Sequence, residues 1–171
     1  MARYRRFDTT RAGAGGIETL PDVIEGVRTR RAGLRSAMSA LEYALAAPAP
    51  QRVDEWRRGV RETLAQLHEV WTRHIVETEA PGAFLDELVT DAPRLSTPAS
   101  RLRREHSEIL AVIVRAEKRL ATAPAEECDY LAWVDETRQE LTTLLSALAR
   151  HRQRGADLVY EAYDVDLGGG F

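Results

Sequence analysis

The chain has 171 residues, 44% of them hydrophobic and 30% charged, with a formal net charge of −3. Those values belong to an ordinary globular protein and exclude disordered, collagen-like and membrane-embedded classes. A slightly acidic whole offers no general basic field for phosphate backbones, so no nucleic-acid partner is expected, local runs such as Arg28, Arg30 and Arg31 notwithstanding.

Residues 1–18, MARYRRFDTTRAGAGGIE, carry arginines and a Gly-Ala stretch without a sustained apolar period, and read as a flexible arm. No apolar run approaches the length that spans a bilayer and no hydrophobic stretch follows the arginines as in a secretory leader, so a cytoplasmic protein without a membrane partner is expected. The single cysteine, Cys128, sits among Glu126, Glu127 and Asp129, where a thiolate is disfavoured. That acidic cluster reads as negative charge at a helix N-terminus, and a catalytic thiol is not expected.

The first helix is predicted to open at Leu20-Pro21-Asp22, with Thr19 as N-cap, and to end before Pro48. Its inward stripe is Val23, Val27, Leu34, Met38, Leu41 and Leu45. The second runs from about Arg52 to Glu79, before Pro81-Gly82, with Val53, Trp56, Val60, Leu64, Leu67, Trp71, His74 and Thr78 in one register. Residues 81–96 hold only short apolar pairs, suited to a capping turn or short helix over one end. Thr97-Pro98 supplies an N-cap and an N1 proline for a third helix reaching Ala121, whose inward face is Leu102, His106, Ile109, Leu110, Ile113, Ala116 and Leu120. The fourth is expected from Glu126 to about Tyr163, with Leu131, Val134, Leu141, Leu144, Leu148, His151, Gly155, Leu158 and Ala162 inward, and a Gly-rich tail over 165–171. Short Pro-rich connections force sequential neighbours to pack side by side in opposite directions, so the expected fold is all-α, an antiparallel up-down-up-down four-helix bundle over residues 19–164.

Of four histidines, three fall on inward stripes: His74, His106 and His151. His68 lies about 100° round from the core register and reads as a boundary residue. Bundles build metal sites from side chains on facing helices, and three neutral imidazoles can hold one Fe, Zn, Cu or Ni ion with a position left open. The opposing reading makes each ring a packing residue whose nitrogen finds a carbonyl or water. Trp56 and Trp71 fit packing; Trp133 has no clear assignment.

The segments HIVETEAPGAFLDEL, LRREHSEIL and ALARHRQRGADLVYEAYD resemble the second, third and fourth helices of hemerythrin-like (HHE cation-binding) domains, over roughly residues 34–163. The resemblance implies a four-helix bundle whose family carries two non-heme irons on about five histidines and two carboxylates, binding or sensing dioxygen. This chain departs at each helix. The first has no histidine, with Met38 in the likeliest inward slot. His74 is followed at i+4 by Thr78, and helix angle makes Glu77 a better substitute than Glu79. His106 is flanked at i−4 and i+4 by Leu102 and Leu110, and His151 has Gly155 at i+4. One ion at most is expected, on His74, His106 and His151 with Glu77. The reading favoured is a hemerythrin-like bundle that has lost the di-iron centre, holds no metal and serves as a non-catalytic interaction module, binding an unknown protein partner or itself. Its alternative is a mononuclear iron or zinc sensor or carrier of a small ligand such as dioxygen. An enzyme using Glu77 as base ranks last, since no Ser-His-Asp spacing, phosphate loop or cysteine pair offers other chemistry.

Overall fold

A computed structural model of the chain describes residues 20–122, 124 and 129–164, with side chains described from Ala32 to Ala162 within that range. The arginine arm, Thr19, the cluster at Glu126, Glu127 and Cys128, and the 165–171 tail lie outside the described residues, as do the side chains of Val23 and Val27. Four long helices carry the fold: α1 (Leu20–Ala46), α2 (Val53–Glu79), α4 (Ser96–Ala121) and α5 (Tyr130–Asp164). A short helix α3 (Phe84–Asp91) and a 3-10 turn (Pro93–Leu95) lie between α2 and α4, and no strand occurs among the described residues. None of these helices is long and apolar enough to cross a membrane.

Helix ends follow local chemistry. The negative Asp54 and Glu55 sit in the first turn of α2, where they complement the exposed N–H groups. Beyond its last turn, Gly82 takes φ 70°, the left-handed region that glycine enters without steric cost. Carbonyls at and just past the end of α1 are taken by Arg138 of α5, which donates to Leu45 O at 3.0 Å and Ala47 O at 2.9 Å while its guanidinium lies 5.4 Å from the Trp56 ring centroid. Thr97 is not an N-cap: α4 is already helical at Ser96, because the 3-10 turn feeds it directly, and Pro98 falls in the first turn where its missing N–H is not needed.

Most of the expected stripe positions are buried, but Met38, Val53, Leu110 and Ala162 are only half-buried, Ala37 rather than Met38 is the buried residue at that level of α1, and α5 departs at two further positions. Leu131 is exposed, and Thr137 fills the seven-residue gap between Val134 and Leu141. The Thr137 hydroxyl is satisfied there, donating to Trp133 O at 2.7 Å and accepting from Arg119 Nε at 3.2 Å. Trp133 itself packs edge-on to Trp56, ring centroids 6.1 Å apart.

Packing pairs α1 with α2, α2 with α4, α4 with α5, and α5 with α1. Along α2 and α4, His68 meets Glu117 while Glu79 meets His106. Along α4 and α5, Arg119 meets Glu136, Arg115 meets Glu140, and Glu105 meets His151. The buried residues form two apolar clusters. The larger includes Trp71, Ile109 and Leu148; the smaller joins Leu85, Leu88 and Leu95 to Ala99, Leu102 and Leu158. On α4 and α5 the histidines fall between the two, His106 between Leu102 and Ile109, His151 between Leu148 and Leu158.

Candidate metal centre

Three helices each contribute one imidazole to this polar layer: His74 from α2, His106 from α4 and His151 from α5. His106 and His151 are buried, at 2% and 3% exposure, and His74 is half-buried. Their side chains bring one nitrogen each to a common point, the ligating atoms all lying within 4.8 Å of one another. His151 Nε2 stands 3.2 Å from His106 Nε2 and 3.4 Å from His74 Nε2. Two nitrogens that each lie about 2.0–2.1 Å from one ion at a tetrahedral angle are about 3.3 Å apart. The spacing suits a single ion.

Trp71, one helical turn before His74, fixes the rings from the core side. Its indole stacks on His74 at 5.1 Å and meets the edges of His106 and His151 at 5.4 and 5.0 Å. The indole N–H donates to the His106 carbonyl at 3.3 Å, so the large ring brings no unsatisfied donor into the core.

The far nitrogens of two rings face carboxylates. His151 Nδ1 donates to Glu105 Oε2 at 3.1 Å, and His106 Nδ1 donates to Glu79. Glu105 is buried and further held by Arg154 Nε at 2.8 Å, an ion pair off the line of the N–H bond, and by Arg101 Nε at 3.3 Å. Because a carboxylate only accepts, both Nδ1 atoms carry the proton, which leaves the Nε2 lone pairs of His106 and His151 facing each other, with His74 Nε2 beside the latter. A cation between the nitrogens would be stabilised by such an arrangement.

Burial also keeps the rings neutral. Desolvation, then the neighbouring His106 and His151, pushes His74 down to about 3. Desolvation and His106 lower His151 to about 4 against the opposing pull of Glu105, and desolvation outweighs Glu79 to lower His106. For Glu105 burial pushes the carboxyl up, yet the contacts from Arg154 and His151 outweigh it and hold the group below its ordinary range. Neutral imidazoles backed by ionised carboxylates are the form in which histidine ligates a metal.

The structure thus brings together His74, His106 and His151. Glu77 is exposed and no part of the cluster, whereas Glu79 reaches His106. Glu77 shares His74's face of α2 by helix angle. Glu79, the last residue of α2, points toward α4 and reaches the far nitrogen of His106. Glu105 is the other residue that sequence reasoning passed over; its signal was a glutamate directly before an inward histidine on α4. His68 is a boundary residue as expected, half-buried with Nδ1 2.9 Å from Glu117 Oε1. Comparison with family models, with curated proteins and with solved structures finds no match to this chain.

Proposed function

We propose that the protein is a mononuclear metal-binding bundle, with His74, His106 and His151 as ligands to one divalent ion such as iron or zinc, acting as a sensor or carrier of a small ligand. The observation that carries this reading is the convergence of three Nε2 atoms while two of the opposite Nδ1 atoms donate to Glu105 and Glu79. A histidine that merely packs has no need of a buried carboxylate behind it. The donor set suits one ion: the carboxylates stand behind the rings, and none among the described residues joins the converging nitrogens to bridge a second cation. An ion there would present an open position to water, dioxygen or nitric oxide.

The helix order and the pairings His68 with Glu117, Glu79 with His106, and Arg119 with Glu136 favour an antiparallel up-down-up-down arrangement. With histidines supplied by the second, third and fourth long helices and none by the first, they also favour a divergent hemerythrin-like bundle that keeps half of a two-metal site. In the metal-free reading, the same rings are relics and the protein works through a partner.

Titration of the tag-free, chelator-treated chain with Zn²⁺ by calorimetry, and with Co²⁺ by visible absorption, separates the two readings. One equivalent is expected to bind, with intense tetrahedral Co²⁺ bands. The His106→Leu variant should keep its helical circular dichroism and lose the binding. A wild-type chain that binds neither ion leaves the metal-free interaction module as the function.

A further inference from the structure

Behind Glu105 the surface between α4 and α5 opens into a groove of about 830 Å³. Its two ends differ in charge. Toward the C-terminal end of α4 the arginines are matched, Arg115 with Glu140 at 2.8 Å and Arg119 with Glu136. At the end beside the histidines four guanidiniums, Arg101, Arg104, Arg150 and Arg154, face only two carboxylates, Glu105 and Glu108. Arg104 pairs with Glu108 at 3.5 Å, and Arg101 and Arg154 both lean on the same Glu105. Arg150 is exposed and makes no ion pair among the described residues. The surplus of two positive charges matches a dianion, and planar guanidiniums suit tetrahedral oxyanions.

We propose that this end of the groove binds a small oxyanion, phosphate or sulfate in type, and that its binding is linked through Arg154 and Glu105 to the metal centre. The linkage rests on the metal reading above; the oxyanion site does not. An anion drawing Arg101 and Arg154 toward itself loosens their hold on Glu105 and leaves that carboxylate freer to accept from His151 Nδ1. A stronger hydrogen bond there makes Nε2 a better donor to the ion. An ion at the histidines in turn adds positive charge close to the groove. Both effects have the same sign, so anion and metal should tighten each other by one common factor.

The experiment is calorimetric titration of the full chain with sulfate, a dianion at neutral pH, in chloride buffer with and without one equivalent of Zn²⁺, and of Zn²⁺ with and without saturating sulfate. Expected are one sulfate site in the metal-free chain and mutual tightening of about fivefold or more, a factor typical of coupled sites. Arg150→Gln should weaken sulfate severalfold, whereas Arg115→Gln, at the matched end, should not. Absence of sulfate binding to the metal-free chain overturns the oxyanion site even where Zn²⁺ binds normally. Sulfate that binds only the metal-loaded chain, with Arg150→Gln no weaker, places the anion on the metal and also overturns it. Sulfate binding that leaves Zn²⁺ affinity unmoved overturns the linkage. Failure of Zn²⁺ to bind under every condition sinks the metal reading and the linkage with it, but leaves the oxyanion site to be judged by the sulfate titration alone.

Discussion

His151 is gripped at both ends of its ring, with Nδ1 on Glu105 and Nε2 facing His106 and His74, so its orientation is set before any ion arrives. Glu105→Gln keeps the volume and replaces a charged acceptor with a neutral amide. Loss of an outer-shell partner typically lowers metal affinity by about 10–100-fold. Glu105→Gln is expected in that range with the fold intact, as read by competition against a chromophoric chelator. Glu79 is less enclosed, at 30% side-chain exposure, so Glu79→Gln should weaken binding less. The histidines were legible in the sequence because apolar periodicity placed them inward. Their carboxylates were not: periodicity within one helix says where a side chain points relative to its own core, while Glu79 and Glu105 serve rings on other helices. The choice of Glu77 looked along His74's own helix, and periodicity gave no view of the acids that face the rings from elsewhere.

Among the elements, α2 carries both a ligand and the aromatic wall behind all three, since Trp71 precedes His74 by one turn. Trp71→Phe should keep a ring on His74 but leave unfilled volume beside His106 and His151, lowering both stability and metal affinity. By contrast, Gly59 in α2 and Gly155 in α5 occupy helical positions where an added Cβ meets nothing within 4 Å. Glycine in a helix interior costs about 0.5–1 kcal/mol relative to alanine. Gly59→Ala should therefore raise the midpoint of urea denaturation by that amount in free energy, with no change in slope. The long helices and the short element over 81–96 were visible from breakers and apolar spacing. Helix starts were less so: Thr97-Pro98 is a good capping pair, but the preceding Pro93–Leu95 turn began the helix earlier. The exposed Leu131 shows the same limit, because a stripe extrapolated to a helix end continues past the point where neighbours remain to cover it.

For the whole molecule the histidine layer is a weakness that an ion would turn into a staple. In the metal-free chain His74 titrates near 3 and His151 near 4, with His106 also lowered, whereas each has its ordinary value of 6.5 when unfolded. Between those limits the unfolded chain binds more protons than the folded one, so stability rises with pH. The contribution of the three neutral rings is complete above about pH 6.5 and is lost as pH falls toward 4. Thermal melts in chelator should therefore drop between pH 7 and 5, and the drop should be smaller in His106→Leu, which has one fewer ring to charge. Metal reverses the balance at neutral pH: an ion that binds only the folded state, present at 100 times its dissociation constant, adds about 2.7 kcal/mol. For a chain of this size that corresponds to roughly 5–11 °C in Tm. The gain should shrink at pH 5, where protons compete for the same nitrogens, and should vanish in His106→Leu at either pH. An equal rise in wild type and variant would mean that the added ion acts on surface carboxylates instead of the histidine layer.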